Sequence, residues 1–321
     1  MVIRALFLSL LVLPGGCVPA RIFSRNFVGF FQSPLKLESR IRDPVRPEAR
    51  LAVLWIGHAT LLIQIDDKFI LTDPVFTDTV GQFSRRLVEP GLAVEDLPPI
   101  DICLISHMHF DHLSYGSLEM LEDKIETLFI PEGGLVYVPE FGFTREQIAL
   151  FNTYQQDGVR ITPVPVRHSG WRYGADAAWM KKSHAAWVIE YHGIVVYFGG
   201  DSAYDRDNFE ATRARFPRIE LAILGIGPVE PYAHSRPNHM DGIEAVRAAE
   251  DLGARVLIPM HFDTFPHGLD EPGDPKERVL RAAEDASWPP ERLQVLPIGG
   301  QAVLLPRERP IAGAAASAER R

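Results

Sequence analysis

In the stretch Ile105-Ser106-His107-Met108-His109-Phe110-Asp111-His112-Leu113, three histidines and one aspartate fall within six residues. Imidazole and carboxylate are the ligand types of zinc and other divalent first-row cations. His107 and His109, two apart, can reach one cation, while Asp111 and His112 at a helix start can turn to a neighbouring one. Such a cluster on a surface would be no more than solvated side chains. Two things weigh against that: its place between a buried-strand pattern and a helical one, and the ligand types that close later strands. His168 follows Val164-Pro165-Val166, Asp201 follows Tyr197-Phe198-Gly199-Gly200, and His261 ends the run from Val256 to Met260. Strand ends on one edge of a sheet converge, so ligands far apart in sequence can meet there. Seven ligands suffice for two cations with three terminal ligands each and Asp201 between them. Paired cations lower the pKa of a shared water and clamp the attacking and leaving oxygens, so the chemistry implied is hydrolysis.

The elements that must hold these residues are short and β-rich. Strand patterns run over 51–56, 61–65, 69–72, 102–106, 127–130, 160–166, 185–191, 194–199, 220–224 and 255–259. Asp66-Asp67 and His192-Gly193 supply turns. Helical periodicity occupies 113–123, 205–216, 240–252 and 275–286. Hairpins come first and β-α alternation later, which predicts a layered α/β domain with mixed sheets over 51–305. His58, in Gly57-His58-Ala59-Thr60 between two strands, and Asp73, after Leu71-Thr72, are expected to orient the metal ligands by hydrogen bonds rather than to ligate. His184, His192 and His267 carry no supporting pattern and default to surface or loop roles. Cys103, inside an apolar run, is read as a buried free thiol.

The spacing His-x-His-x-Asp-His with a distant His, Asp and His resembles the metallo-β-lactamase superfamily, which implies an αββα four-layer sandwich with a dinuclear site on one edge. Within it the chain is similar to the N-acylphosphatidylethanolamine-hydrolysing phospholipase D group over about 51–305. The likeness rests on Trp55-Ile56-Gly57-His58-Ala59-Thr60, Leu71-Thr72-Asp73-Pro74, the Gly200-Asp201-Ser202 turn, His239-Met240 and Pro259-Met260-His261-Phe262-Asp263-Thr264-Phe265. The resemblance implies that His107, His109 and His168 hold one metal, that Asp111, His112 and His261 hold the other, and that Asp201 bridges both. The metals implied are two divalent ions, zinc foremost, with manganese or iron as alternatives, and His239 is implied as a substrate contact. Catalytic roles then fall to Asp111, Asp201 and His239. Arg236, in the Pro-rich loop before His239, is expected to join His239 and the positive end of the following helix, with Ile243, Val246 and Leu252 on its apolar side, in holding an anionic phosphodiester. Phe262-Asp263, Ser169-Gly170-Trp171-Arg172-Tyr173-Gly174 and Glu230-Pro231-Tyr232-Ala233-His234 differ from the group's sequences around the pocket. The substrate therefore stays open between a lipid phosphodiester and the acyl carbon of a lactone or amide. A redox role is disfavoured, because diiron relatives place Glu where His109 stands. A surface lipoprotein that only binds metal or lipid is the non-enzyme alternative.

The 321 residues are 46% hydrophobic and 23% charged, which is ordinary for a globular chain, and the formal charge of -9 argues against a nucleic-acid partner. The N-terminus is a separate matter. Arg4, the almost unbroken apolar run 5–13 and Gly15-Gly16-Cys17 have the layout of a signal peptide over 1–17. The apolar run is too short for a helix to span a bilayer of about 30 Å. Leu13-Pro14-Gly15-Gly16-Cys17 also resembles a bacterial lipoprotein signal, so lipidation of Cys17 competes with plain cleavage. Either way an exported, cell-envelope protein is expected. Residues 18–50 then form an arm that mixes Phe23, Phe27, Phe30 and Phe31 with seven basic and three acidic residues between 21 and 50. The arm is expected to lie on the domain surface or to face a membrane. The Ala-rich segment 306–321 is expected to be a frayed tail.

Overall fold

The computed structural model describes residues 18–38, 40–81 and 84–307. The leader with Cys17 and the segment after Arg307 lie outside the described residues. The arm opens with helix α1 (Val18–Phe30). Strands β1 (Ala49–Gly57), β2 (Thr60–Ile65) and β3 (Lys68–Thr72) follow as an antiparallel meander, and β4 (Thr79–Val80) pairs with β5 (Ser84–Arg85) in a hairpin of its own. Next come β6 (Ile100–Leu104), helix α2 (Tyr115–Met120), β7 (Ile125–Pro131) and β8 (Thr144–Ile148), with β6 parallel to β3 and each of β7 and β8 parallel to the strand before it.

The second half begins with β9 (Tyr154–Gln156), β10 (Val159–Val164), β11 (Ala186–Tyr191) and β12 (Ile194–Phe198), each antiparallel to the next. Helix α3 (Arg206–Arg215) leads to β13 (Leu221–Gly225), and α4 (Tyr232–Ser235) and α5 (Gly242–Asp251) lead to β14 (Val256–Met260). Helix α6 (Asp274–Asp285) and β15 (Gln301–Pro306) complete the chain. Among the described residues one sheet has the order β15-β1-β2-β3-β6-β7-β8 and the other β14-β13-β12-β11-β10-β9. One core is shared by the facing sheets and the helices over the second; another lies beneath α2 on the far side of the first. This is the αββα sandwich with mixed sheets. Burying one Leu, Ile or Phe of such a core contributes about 1.5–3 kcal/mol, and Trp55, Phe129, Trp187 and Phe198 are fully buried. The stacked sheets thus fix the strand ends on which the ligands stand.

Four local expectations need correction. The helix expected over 113–123 is confined to α2, because Ser114 caps it by accepting from the Ser117 N–H and so leaves Leu113 to the preceding loop. The helix expected from residue 240 starts at Gly242, since the Asp241 carboxylate accepts from Glu244 N–H at 2.9 Å. Ile243 is 48% exposed, so the buried side of α5 is built on Val246 and Leu252 without it. At the other end, Pro306 closes β15 and Arg307 N–H donates to the Glu48 carbonyl, so the ordered chain extends past 305.

Candidate metal centre

Every ligand candidate sits at the same edge of the two sheets. Asp73 follows β3, the segment from Ser106 to His112 follows β6, His168 follows β10, Asp201 follows β12 and His261 follows β14, while His58 lies in the β1–β2 turn. The backbone is bent hard there: His58, Asp73 and His261 have φ of 55°, 31° and 65°. Non-glycine residues rarely enter this left-handed region, and such strain persists where the surroundings over-determine it. His261 N–H donates to the His58 carbonyl at 3.1 Å, and Trp55 Nε1–H to the same carbonyl at 2.9 Å. Gly200, at φ 54°, has no substitute: a Cβ there would stand 2.4 Å from that of Ser106.

Two groups of donors result. His107 Nε2, His109 Nδ1 and His168 Nε2 lie 2.8–3.3 Å apart. His58, Asp111, His112 and His261 form the other group. Between them stands Asp201, whose Oδ2 is 4.0 Å from His107 Nε2, 3.8 Å from His168 Nε2 and 3.3 Å from His112 Nε2, while its Oδ1 is 3.1 Å from His261 Nε2. The structure therefore brings together all seven residues predicted as ligands, with Asp201 facing both groups.

The outer hydrogen bonds test whether cations fit. His168 Nδ1–H donates to the Asn238 carbonyl at 3.0 Å and His112 Nδ1–H to Asp73 Oδ2 at 2.7 Å, which leaves the lone pair of each Nε2 pointing inward. Three imidazole nitrogens within 3.3 Å of one another cannot all be satisfied by hydrogen bonds, and the buried Asp201 Oδ1, although 3.1 Å from His261 Nε2, has no well-aligned hydrogen bond. A divalent cation satisfies both conditions. The electrostatics agree. Burial pushes His107 and His168 well below the usual histidine range. At His112 and His261 burial acts the same way, but the Asp201 and Asp111 carboxylates, joined at His112 by Asp73, together outweigh it, raising His112 well above the usual histidine range and His261 to about 9. Without metal, protons take up the negative charge that a cation would take up, so cation binding releases them and weakens as pH falls.

Asp73 and His58 both lie against the ligands. Asp73 accepts from Ser106 N–H and Oγ–H, each at 2.6 Å, as well as from His112, and His58 Nε2 is 2.9 Å from Asp111 Oδ2. His58 also lies close enough to the second donor group to serve as a ligand. His239 borders the site, its Nδ1 3.6 Å from Asp201 Oδ2, and burial lowers its pKa to about 4, so it is neutral at pH 7.

Arg236 does not join it. Its Nε pairs with Glu244 Oε1 at 3.3 Å, its guanidinium lies over the Tyr232 ring, and it lines a separate surface groove with Arg167 and Tyr204. Arg236 and His239 are three residues apart and leave the chain in different directions. The positive end of α5 is likewise taken by Asp241, so neither feature faces the metals.

Sequence reasoning missed two participants. His267, assigned a loop role, has Nδ1 3.3 Å from Asp111 Oδ2 and stacks on Phe265. Its place six residues past His261, on one tight loop, was the available signal. Arg172 is buried and donates from Nη1 to the carbonyls of Met108 and Leu113, at 2.9 Å each, with Phe110 and Tyr115 rings 4.3 Å from its guanidinium carbon. It ties both ends of the segment that carries His109, Asp111 and His112.

The donors open onto a cavity of about 580 Å³. His109, Asp111, Asp201, His239 and His261 line it, and so do Pro19, Ile22 and Phe23 of α1. Asn26 anchors that helix by donating from Nδ2 to the Pro266 carbonyl at 2.9 Å.

Comparisons with known proteins agree with this architecture. An uncharacterised protein of Mycobacterium tuberculosis is 33% identical over 270 residues, covering 79% of this chain and 69% of that one. An N-acyl-phosphatidylethanolamine-hydrolyzing phospholipase D of Caenorhabditis elegans is 27% identical over 273 residues, 79% of this chain and 76% of that one. Among solved structures, a metallo hydrolase from Ignicoccus hospitalis superposes with a TM-score of 0.60 at 21% identity, covering 78% of this chain and 97% of that one, and shares the fold. The family model of the beta-lactamase superfamily domain matches residues 68–262, more than half of the chain, and the protein belongs to that superfamily.

Proposed function

We propose that this protein is a metal-dependent hydrolase that cleaves phosphodiesters, with preference for substrates bearing a lipid arm. One observation carries the reading: two donor groups share Asp201 in a cavity that Pro19, Ile22 and Phe23 of α1 also line. Such a cavity suits a molecule with an anionic reacting centre and a hydrocarbon arm. The 27% identical Caenorhabditis elegans phospholipase D and the 29% identical mitochondrial one of Saccharomyces cerevisiae, which this chain matches over half of that protein's length, support the phosphodiester class. Two divalent cations held by these ligands would supply a nucleophilic water at neutral pH and charge stabilisation for phosphoryl oxygens.

The chain's own residues do the rest. Asp73 holds the His112 ring in one tautomer and orientation, and the Asn238 carbonyl does the same for His168. His239 is neutral at pH 7 and faces the cavity beside Asp201, where one ring nitrogen can donate a hydrogen bond to the phosphodiester. Ile22 and Phe23 exclude water from the side where an acyl arm would lie. Hydrolysis of a lactone is the second reading, since the same donor set serves carbon-centred attack.

Relative rates on a lipid phosphodiester, a soluble aryl phosphodiester and an acyl lactone decide between them. The phosphodiesters should be faster, and His239→Ala should lower phosphodiester kcat/KM by about 10-fold to 100-fold, the loss of one charge-assisted hydrogen bond. A lactone faster by tenfold, or a silent His239→Ala, contradicts the phosphodiester reading and leaves the metal-dependent hydrolase.

A further inference from the structure

Helix α1 is built inside out. Of its thirteen residues Asn26 is the buried one, whereas Phe27 and Val28 are each 41% exposed and Phe31, just beyond the helix end, is 72% exposed. An ordinary surface helix turns its apolar residues to the core. Here the anchoring contacts are polar, Asn26 to the Pro266 carbonyl and Arg25 Nη1 to the Gly268 carbonyl at 3.4 Å, while Pro19, Ile22 and Phe23 border the open cavity and not a packed core. The outward rings form a continuous strip, with Phe27 and Phe31 centroids 5.3 Å apart and Phe30 and Phe31 5.6 Å apart. An exposed apolar strip of this kind on a folded chain marks a surface that another phase or molecule covers.

We propose that the outward face of α1, built on Phe27, Val28 and Phe31, docks on an anionic lipid surface and so brings the metal cavity, of which α1 is a wall, against that surface. This deepens the lipid-phosphodiester reading by naming where such a substrate would be met, and it rests on that reading only for that step. Charge favours lipid over a second copy of the chain. At 100° per residue Arg21 lies only about 20° round the helix from Val28, and residues 21–50 hold seven basic against three acidic side chains in a protein of formal charge -9. A second copy, net negative, gains less from that local basic field than anionic headgroups do. Rings at the interface with Arg beside them are the pattern of a helix lying in the headgroup plane. The chain also enters α1 from a sequence whose residues 5–13 are apolar apart from Ser9. No helix among the described residues is long and apolar enough to cross a membrane, so the association proposed is peripheral.

Vesicle co-sedimentation of the full chain tests the idea. Wild type, Phe27→Ser/Phe31→Ser and Arg21→Glu would carry the same N-terminus, with equal melting temperature and metal content as the folding check. Wild type should bind phosphatidylglycerol-containing vesicles at least tenfold more tightly than pure phosphatidylcholine vesicles. The double variant should lose tenfold or more on the anionic vesicles, and Arg21→Glu should lose severalfold at low salt. Turnover of a soluble aryl phosphodiester should stay within twofold in all three, since Phe27, Phe31 and Arg21 do not line the cavity. Undiminished binding by the double variant overturns the proposal. So does a wild-type dimer that the double variant dissolves while neither protein binds vesicles. Should soluble turnover be absent throughout, the phosphodiesterase reading fails, yet the vesicle result still decides the role of α1.

Discussion

Arg172 is a single side chain on which the ligand segment depends. Its guanidinium bonds carbonyls at both ends of residues 108–113 and is stacked between Phe110 and Tyr115, so it sets the loop's span without touching a ligand nitrogen. A Met of similar length would fill the slot and leave both carbonyls without that donor. Arg172→Met should keep the fold while weakening metal affinity by about 10-fold to 100-fold, the usual cost of losing an outer hydrogen bond at a metal site. Competition with a chromophoric chelator measures it, and wild-type affinity in the variant would remove Arg172 from this role. What was legible at this scale followed chemistry: His107, His109, Asp111 and His112 announce themselves by type and spacing. His267 and Arg172 did not, because a lone histidine or arginine in a loop is ordinary until the fold brings the loop back against Asp111 or Met108.

At the scale of elements, the far end of the sandwich is tied by the β2–β3 turn. Asp66 Oδ2 lies 3.0 Å from His192 Nδ1 in the β11–β12 turn and 3.4 Å from Arg50 Nη2 of β1, and Asp66 Oδ1 lies 3.4 Å from Arg307 Nη2 after β15. Partial burial would raise this carboxyl, but the His192 and Arg50 hydrogen bonds outweigh it and hold the pKa below the ordinary aspartate value. A depressed folded pKa gives stability that is present above the unfolded pKa of about 3.9 and is lost as pH falls through the folded value. Asp66→Asn keeps the left-handed turn that both residues tolerate. It should cost about 1 kcal/mol at pH 7, with the difference from wild type closing towards pH 3. Denaturant melts at the two pH values check this, and a difference independent of pH would mean the charge is not what matters. Strands 51–56 and 61–65 were readable from their apolar runs. Strand β15 was not, since a short run near the C-terminus gains its identity only by pairing with β1, and α1 was hidden because its apolar residues face the cavity and the outside and not a core.

For the molecule as a whole, the two sheets matter because each supplies half of the site. The first contributes Asp73 and residues 106–112, the second His168, Asp201 and His261, and the shared core between them fixes their separation. Sequence could place each ligand at a strand end and, through resemblance, pair the sheets; it could not show that α1 closes one side of the cavity or that Arg236 turns away from it. Asp201 is the residue on which a site for two cations depends. Elemental analysis of protein purified without chelator, compared with Asp201→Asn, reads this out. Two divalent ions per chain in wild type, falling to about one in the variant because an amide lacks the charge to hold both, is the predicted result. A single ion in wild type, retained unchanged in Asp201→Asn, would contradict it.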